Sequence, residues 1–260
     1  MVRFLGLSKR STLKYIATAK AIHYHLLMKR APLVAAILLL LCVSANAQTD
    51  RPDPGVVKDG VYTNTFFRFS YEFPKGWVVH GEATNERIRE IGKERTSNSG
   101  AVSEESLEVA MKNTYHLLTV FRQPVGTPGI GFNPGVLVIA ERVAFAPGIT
   151  NGKDYLLSMR GLMLKTGAQS LLKEPTEHRF GGLPFFRDDY AVEINPFHVK
   201  QIYIAHVVKG YSLVFIFISD DQKSLDEMTK TMDTFMLRAM PPVRKGVGTG
   251  TGAAPERKPN

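Results

Sequence analysis

The segment KGYSLVFIFI, residues 209–218, contributes most to the fold prediction. From Tyr211 onward it is apolar almost throughout, which predicts a central strand covered on both faces. Lys209 and Gly210 form a two-residue connection of the kind that joins two strands in a tight hairpin. The partner strand is predicted at residues 199–208. The distal half of the chain therefore predicts a sheet with a fully buried middle strand.

Alternating patterns predict the remaining strands. Residues 67–73 alternate aromatic and polar side chains, as a half-buried strand requires. A turn over Pro74-Lys75-Gly76 then leads into the next strand at Trp77. Further strands are predicted at residues 115–122, 136–144, 171–180 and 185–194.

Capping residues and apolar spacing predict four helices. Thr84, Ser103 and Asn151 are expected to cap the first three, and the fourth begins after Ser219-Asp220. The first three predicted ranges are residues 84–95, 104–113 and 153–166. Helical spacing in the fourth predicts that an apolar stripe packs onto the sheet: Leu225, Met228, Met232, Phe235 and Met236. Hairpin strands with helices inserted between them indicate a single α+β domain with a mainly antiparallel sheet.

The pattern of residues 1–47 is typical of a targeting segment. Residues 28–47 combine a basic start, an apolar run and a small-residue ending, which predicts a signal peptide cleaved between Ala47 and Gln48. The apolar run, residues 31–43, would form a helix about 20 Å long, which is shorter than the roughly 30 Å core of a bilayer. Residues 1–27 are either a mis-assigned upstream start or an extra leader, as a two-part signal would need.

Composition supports an exported globular domain. Residues 1–47 hold seven of the 33 Lys and Arg and none of the 24 Asp and Glu, so 26 basic residues remain against 24 acidic ones. That balance gives no reason to expect nucleic-acid binding. The predicted compartment is periplasmic or secreted, with no membrane span left after cleavage. Residues 48–60 are predicted to be a flexible linker, residues 61–238 the folded domain and residues 239–260 a disordered tail.

Common catalytic signatures do not occur in the sequence, and no cofactor is predicted. Asp188 is predicted to face the core, where a carboxylate must be paired, so it is either a structural anchor or part of a site. His178 and His198 flank the distal strands and are the other candidates for a dispersed metal or hydrolytic site. Trp77 is the candidate for an aromatic cleft that would bind a small ligand.

Three stretches resemble the PsbP-like family: GVYTNTFFRFSYEFPKGWVV at residues 60–79, HRFGGLPFFRDDYAV at 178–192 and QIYIAHVVKGYSLVFIFIS at 201–219. The resemblance implies an antiparallel sheet sandwiched between helices. Members of that family include an extrinsic subunit of photosystem II, a Ran-binding nuclear-import factor and exported bacterial proteins. Their shared property is binding or stabilising other macromolecules, and no residue role is carried over from them.

Three functions are therefore considered. The first is an exported, non-enzymatic accessory protein that binds a protein or small-ligand partner. The second is a lumenal photosystem-associated extrinsic protein, for which residues 1–47 would have to supply a lumenal address. The third is a metal-dependent enzyme whose site residues are dispersed in the sequence.

Overall fold

A computed structural model describes residues 51–238, and the secondary structure of these residues lies in one compact unit that begins at Pro52. The helices of this range are α1 (Glu82–Asn98), α2 (Glu104–Lys112), α3 (Gly152–Lys165), α4 (Gln222–Lys230) and a 3₁₀ helix (Thr231–Thr234). The strands are β1 (Val56–Lys58), β2 (Val61–Asn64), β3 (Phe69–Glu72), β4 (Val78–Val79), β5 (Thr114–Phe121), β6 (Gly135–Arg142), β7 (Gln169–Ser170), β8 (Thr176–Phe180), β9 (Leu183–Ile194), β10 (Phe197–Val208), β11 (Tyr211–Ser219) and β12 (Met236–Leu237).

The strands form two antiparallel sheets. The large sheet has the order β4-β5-β6-β11-β10-β9-β7, and β8 pairs with β9 beside β7. The small sheet has the order β1-β2-β3-β12. Strand β11 lies in the middle of the large sheet, as its apolar run predicts. The predicted α+β class with a mainly antiparallel sheet is confirmed.

An aromatic cluster joins the small sheet to the large sheet. The ring of Phe215 in β11 lies 6.0 Å from that of Phe69 and 5.1 Å from that of Tyr71, both in β3. Phe185 and Phe235 complete the cluster at 6.2 and 6.0 Å from Phe215. All five side chains are almost fully buried. Pairs in this geometry add about 0.5–1.5 kcal/mol each beyond the area they bury. This cluster forms the centre of the main core.

Helices α1 and α3 pack on the opposite face of the large sheet. Tyr155 and Leu156 of α3 are buried there against β10 and β11. As predicted, Asn151 caps α3, and its side chain accepts hydrogen bonds from the backbone N–H groups of Lys153 and Asp154. Gly152 allows the helix to approach closely, because a Cβ at that position would lie 2.1 Å from the carbonyl oxygen of Ala205.

The N-terminal part of the domain differs from its prediction. The linker predicted at residues 48–60 contains β1, which pairs with β2, and Pro52 is buried. The strand predicted at residues 67–73 is shorter, since Arg68 adopts a φ of 61° in the turn before β3. Long-range side-chain bonds fix this region: the Asp53 carboxylate accepts from the Phe66 N–H at 2.7 Å. The tail predicted at residues 239–260 lies outside the described residues.

Three other elements depart from the sequence prediction. Gly81 rather than Thr84 precedes α1, and the helix continues to Asn98, three residues beyond its predicted end at residue 95. Of the strand predicted at residues 171–180, only residues 176–180 are extended, as β8, and the short β7 precedes the predicted range. Met236 is 61% exposed in β12, so the buried stripe of the C-terminal segment ends at Phe235. Strand β5 also has an irregular register between His116 and Leu118.

Removal of the Phe215 ring should destabilise the domain strongly. Phe215→Ala opens a cavity between the two sheets, and we expect a loss of about 3–5 kcal/mol in the free energy of unfolding. Chemical denaturation followed by tryptophan fluorescence measures this loss. The control is Phe145→Ala, because Phe145 is 60% exposed and its removal should change stability by about 0.5 kcal/mol or less. Equal effects of the two substitutions would contradict the proposed role of the cluster.

Candidate binding recess beside strand β8

A surface recess of about 220 Å³ lies between the β8–β9 hairpin and α4. We call it the β8–α4 recess. Ile204 of β10 is its buried floor, and the ring of His178 stacks on that of Phe180 at 6.2 Å and 9°. Its lining residues are His178, Phe180, Arg187, Ile204, Asp226, Thr229 and Lys230.

Local geometry explains how these side chains come together. Successive side chains of a strand point to opposite faces, so His178 and Phe180 lie on the same face of β8. In α4, Asp226, Thr229 and Lys230 are three and four residues apart, which places them on one side of the helix. The opposite side of α4 carries Leu225 and Met228, which are buried in the main core.

The charges of the recess are largely balanced. Arg187 donates two hydrogen bonds of 2.7 Å to the carboxylate of Asp189, and these bonds raise the pKa of the arginine. Asp226 adds one negative charge and Lys230 one positive charge at the exposed side of the recess. A bidentate Arg–Asp pair is held rigidly and is already satisfied. The recess therefore presents an aromatic and aliphatic interior with a mixed-charge rim.

Asp188 lies on the other face of β9, away from the recess. It is fully buried and accepts hydrogen bonds from Arg160 at 2.9 and 2.7 Å. The hydroxyl of Tyr190 donates a third bond at 2.6 Å. Burial of Tyr190 and its bond to Asp188 raise the pKa of the phenol. The buried position that the sequence predicts for Asp188 is confirmed. Arg160 and Tyr190 occupy its carboxylate oxygens, so the group has a structural role.

The other predicted site residues lie apart from one another. His198 is exposed near the β9–β10 turn, where it contacts Glu193. His178 pairs with Phe185 near the opposite end of β9, which places the two histidines about 26 Å apart along the strand. Trp77 is 9% exposed in the main core, and the guanidinium of Arg122 lies 5.2 Å from its ring centroid. Of the four candidates, the recess contains His178 alone.

Metal-ligating side chains do not converge within residues 51–238, since no three His, Cys, Asp or Glu residues there are placed to hold an ion. The dispersed site suggested for Asp188, His178 and His198 is therefore not assembled. The predicted cleavage position at Ala47 and Gln48 lies outside the described residues. Within the described part of the chain, no helix is both long and apolar enough to cross a bilayer.

Two polar features were not predicted from the sequence. Tyr155 donates a 2.7 Å hydrogen bond to Glu141, and burial raises the pKa of that carboxyl. His116 lies under α1, where its Nδ1 is buried without a hydrogen-bond partner in the described residues. Burial, followed by the nearby charge of Arg89, lowers its pKa to about 4. Both groups depend on helices that pack over the sheet, so strand patterns alone carry no signal for them.

A comparison with solved structures finds a similar fold. The structure is similar to the solution structure of cyanobacterial PsbP (CyanoP) from Synechocystis sp. PCC 6803, with 13% sequence identity and a TM-score of 0.39. The match covers 70% of this chain and 95% of that chain. CyanoP belongs to the PsbP-like class that the sequence resembles. No family model and no curated protein matches the chain by sequence.

Loss of the Asp188 carboxylate should cost stability. Asp188→Ala leaves Arg160, whose side chain is 14% exposed, without a carboxylate to balance its charge, and we expect a loss of about 3 kcal/mol in the free energy of unfolding. Denaturant unfolding measures the loss. Glu174→Gln is the matched control, because its ion pair with Lys153 is at the surface and should contribute little. An unchanged unfolding midpoint for Asp188→Ala would refute a structural role for this pair.

The position of His116 predicts acid sensitivity. Its pKa is about 4 in the folded protein against 6.5 for the ordinary group, so the unfolded chain binds the proton more tightly. The stability that depends on neutral His116 is complete above about pH 6.5 and is lost as the pH falls towards 4, by about 3 kcal/mol in total.

Urea unfolding at several pH values checks this dependence. His116→Phe retains an aromatic ring but cannot take up a proton, so its stability should fall less steeply with pH than that of the wild type. The comparison isolates His116 from the carboxylates, which titrate in both proteins. Identical pH dependences for the two proteins would exclude His116 as the source.

Proposed function

We propose that the protein is an exported, non-enzymatic accessory protein that binds a partner through the β8–α4 recess. The observation that supports this proposal most directly is the composition of the recess. Its floor is the buried side chain of Ile204, and beside it lie the half-buried ring of Phe180 and the exposed ring of His178. The guanidinium of Arg187 in its wall is already paired with Asp189. The lining offers surfaces for contact rather than an activated nucleophile with a neighbouring base.

The size of the recess favours recognition of one side chain. Sites that enclose whole small molecules usually measure about 300–1,000 Å³, whereas this recess measures about 220 Å³. An aromatic or branched aliphatic side chain fits between the His178–Phe180 ring pair and Ile204. Lys230 and Asp226 at the rim would contact charged neighbours of that side chain.

Export is supported by the sequence of residues 28–47, with cleavage expected after Ala47. The single cysteine, Cys42, precedes that position, so the processed chain would form no disulfide and would rely on its core for stability. The aromatic cluster between the two sheets is such a core. The described residues give no specific support to a photosystem-associated role or to metal-dependent chemistry.

Site-specific photocrosslinking tests this proposal. A photoreactive phenylalanine analogue at Lys230 lies at the rim of the recess, and the same analogue at the exposed Lys165 of α3 is the control. In the exported fraction, we expect a defined crosslinked product from position 230 and none from position 165. The additional substitution Thr229→Phe fills the recess and should remove the product.

Two outcomes would contradict the proposal. One is capture of the same product from both positions, which would indicate nonspecific contact. The other is full crosslinking from position 230 in the presence of Thr229→Phe, which would show that the recess is not occupied. Circular dichroism of each variant verifies that the fold is retained.

A further inference from the structure

Strand β8 is an exposed edge of the large sheet. It pairs with β9 on one side, and among residues 51–238 no strand lies along its other side. Residues 176–179 are exposed. Such an edge presents unpaired backbone N–H and C=O groups that can accept another strand.

The hairpin register identifies which backbone groups point outward. Gly181 and Gly182 form a two-residue turn with φ values of 54° and 81°, so the flanking residues Phe180 and Leu183 exchange backbone hydrogen bonds. Bonded pairs alternate along an antiparallel ladder, and Glu177 and Arg179 therefore direct their N–H and C=O groups away from β9.

Two observations agree with this register. Pro184, which has no N–H group, lies opposite Arg179 at a position that needs no bond to β8. The N–H of Leu171 donates to the carbonyl of Asp189 at 2.8 Å, which shows that odd-numbered residues of β9 bond towards the β7–β8 side. Glu177 and Arg179 thus form a short, outward-facing hydrogen-bonding unit on either side of His178.

We propose that β8 pairs with β8 of a second copy of this chain, antiparallel and with the two-fold axis at His178. In this register, Glu177 lies opposite the partner's Arg179, and Arg179 lies opposite the partner's Glu177. A two-fold interface requires a self-complementary surface, and the sequence Glu-His-Arg meets that requirement in charge and in backbone direction. Four backbone hydrogen bonds and two ion pairs form, and the two large sheets become continuous.

Charge complementarity is the reason for choosing a second copy as the occupant. The side chains of Glu177 and Arg179 are 51% and 68% exposed and lie 3.9 Å apart within the strand. An unrelated strand would need an acidic residue opposite Arg179 and a basic residue opposite Glu177. A second copy supplies both through the symmetry of the pairing.

The pairing is short, so the dimer is weak and concentration-dependent. Pro175 has no N–H to extend the ladder at one end, and Gly181 begins the turn at the other. Such a contact buries less than the roughly 800 Å² per partner of a standard stable interface. Monomer and dimer are therefore expected to coexist, with the dimer favoured as the protein concentration rises. This inference does not depend on the proposed function of the recess.

Complementary charge reversals test the pairing. Glu177→Arg places arginines opposite each other, and Arg179→Glu places glutamates opposite each other, so each variant alone should dimerise at least about tenfold more weakly than the wild type. In an equimolar mixture of the two variants, both cross-strand contacts become Glu–Arg pairs, and a heterodimer should form. The double variant Glu177→Arg/Arg179→Glu should dimerise like the wild type. Sedimentation equilibrium measures all five samples: the wild type, the two single variants, their mixture and the double variant.

Arg179→Pro tests the backbone contribution. It deletes an outward N–H group and leaves the β8–β9 hydrogen bonds in place, so it should abolish dimerisation while the unfolding midpoint stays close to that of Arg179→Ala. The proposal is overturned if the wild type is monomeric throughout the concentration range, if the single reversals dimerise normally, or if their mixture remains monomeric. A wild-type monomer that binds an unrelated extended peptide at β8 would likewise exclude the second copy as occupant.

Discussion

The contact between the Phe215 ring and the small sheet is the interaction on which the rest of the structure depends. Strand β11 is buried on both faces, and its odd-numbered residues from Tyr211 to Phe217 face the small sheet and α4. Its even-numbered residues face α1 and α3. A sheet that is buried on both faces needs a packed layer on each face. On one face that layer includes the small sheet, which comes from the first and last parts of the domain, and the aromatic cluster packs it against β11.

The charged residues in the middle of β9 illustrate how a structural arrangement can look like a site in the sequence. Arg187, Asp188 and Asp189 are consecutive and form two bidentate Arg–Asp pairs, one on each face of the sheet. Arg187 binds Asp189 beside the recess, and Asp188 binds Arg160 beneath α3. Each pair satisfies charges that burial would otherwise penalise. The Arg187–Asp189 pair therefore forms part of the wall of the recess and also stabilises the sheet.

The sequence predicted those elements whose burial pattern is local. Strand β11 follows from its apolar run, α3 from the Asn151 cap and its apolar face, and the burial of Asp188 from the alternation of β9. Strands β1 and β2 were missed, because the Asp53 and Asn64 hydrogen bonds that fix them join residues distant in sequence. The recess was missed for the same reason.

His178 was identified, but the residues that meet it come from α4, about fifty positions later in the chain. No sequence pattern in β8 or α4 predicts that the two segments are in contact, because this contact is formed only in the tertiary structure. Trp77 shows the reverse case. Its side chain was considered as part of a ligand cleft, yet the main core and Arg122 cover most of it.

The position of β12 in the small sheet has a consequence for the order of folding. This last strand pairs with β3, and Phe235 stacks on Phe69 with 5.1 Å between ring centroids. Strand β3 thus lacks one of its two neighbouring strands until the final residues of the domain have been synthesised. Long-range contacts of this kind slow folding and favour completion after release of the nascent chain. The small sheet of such a polypeptide is complete only after its last strand has been made.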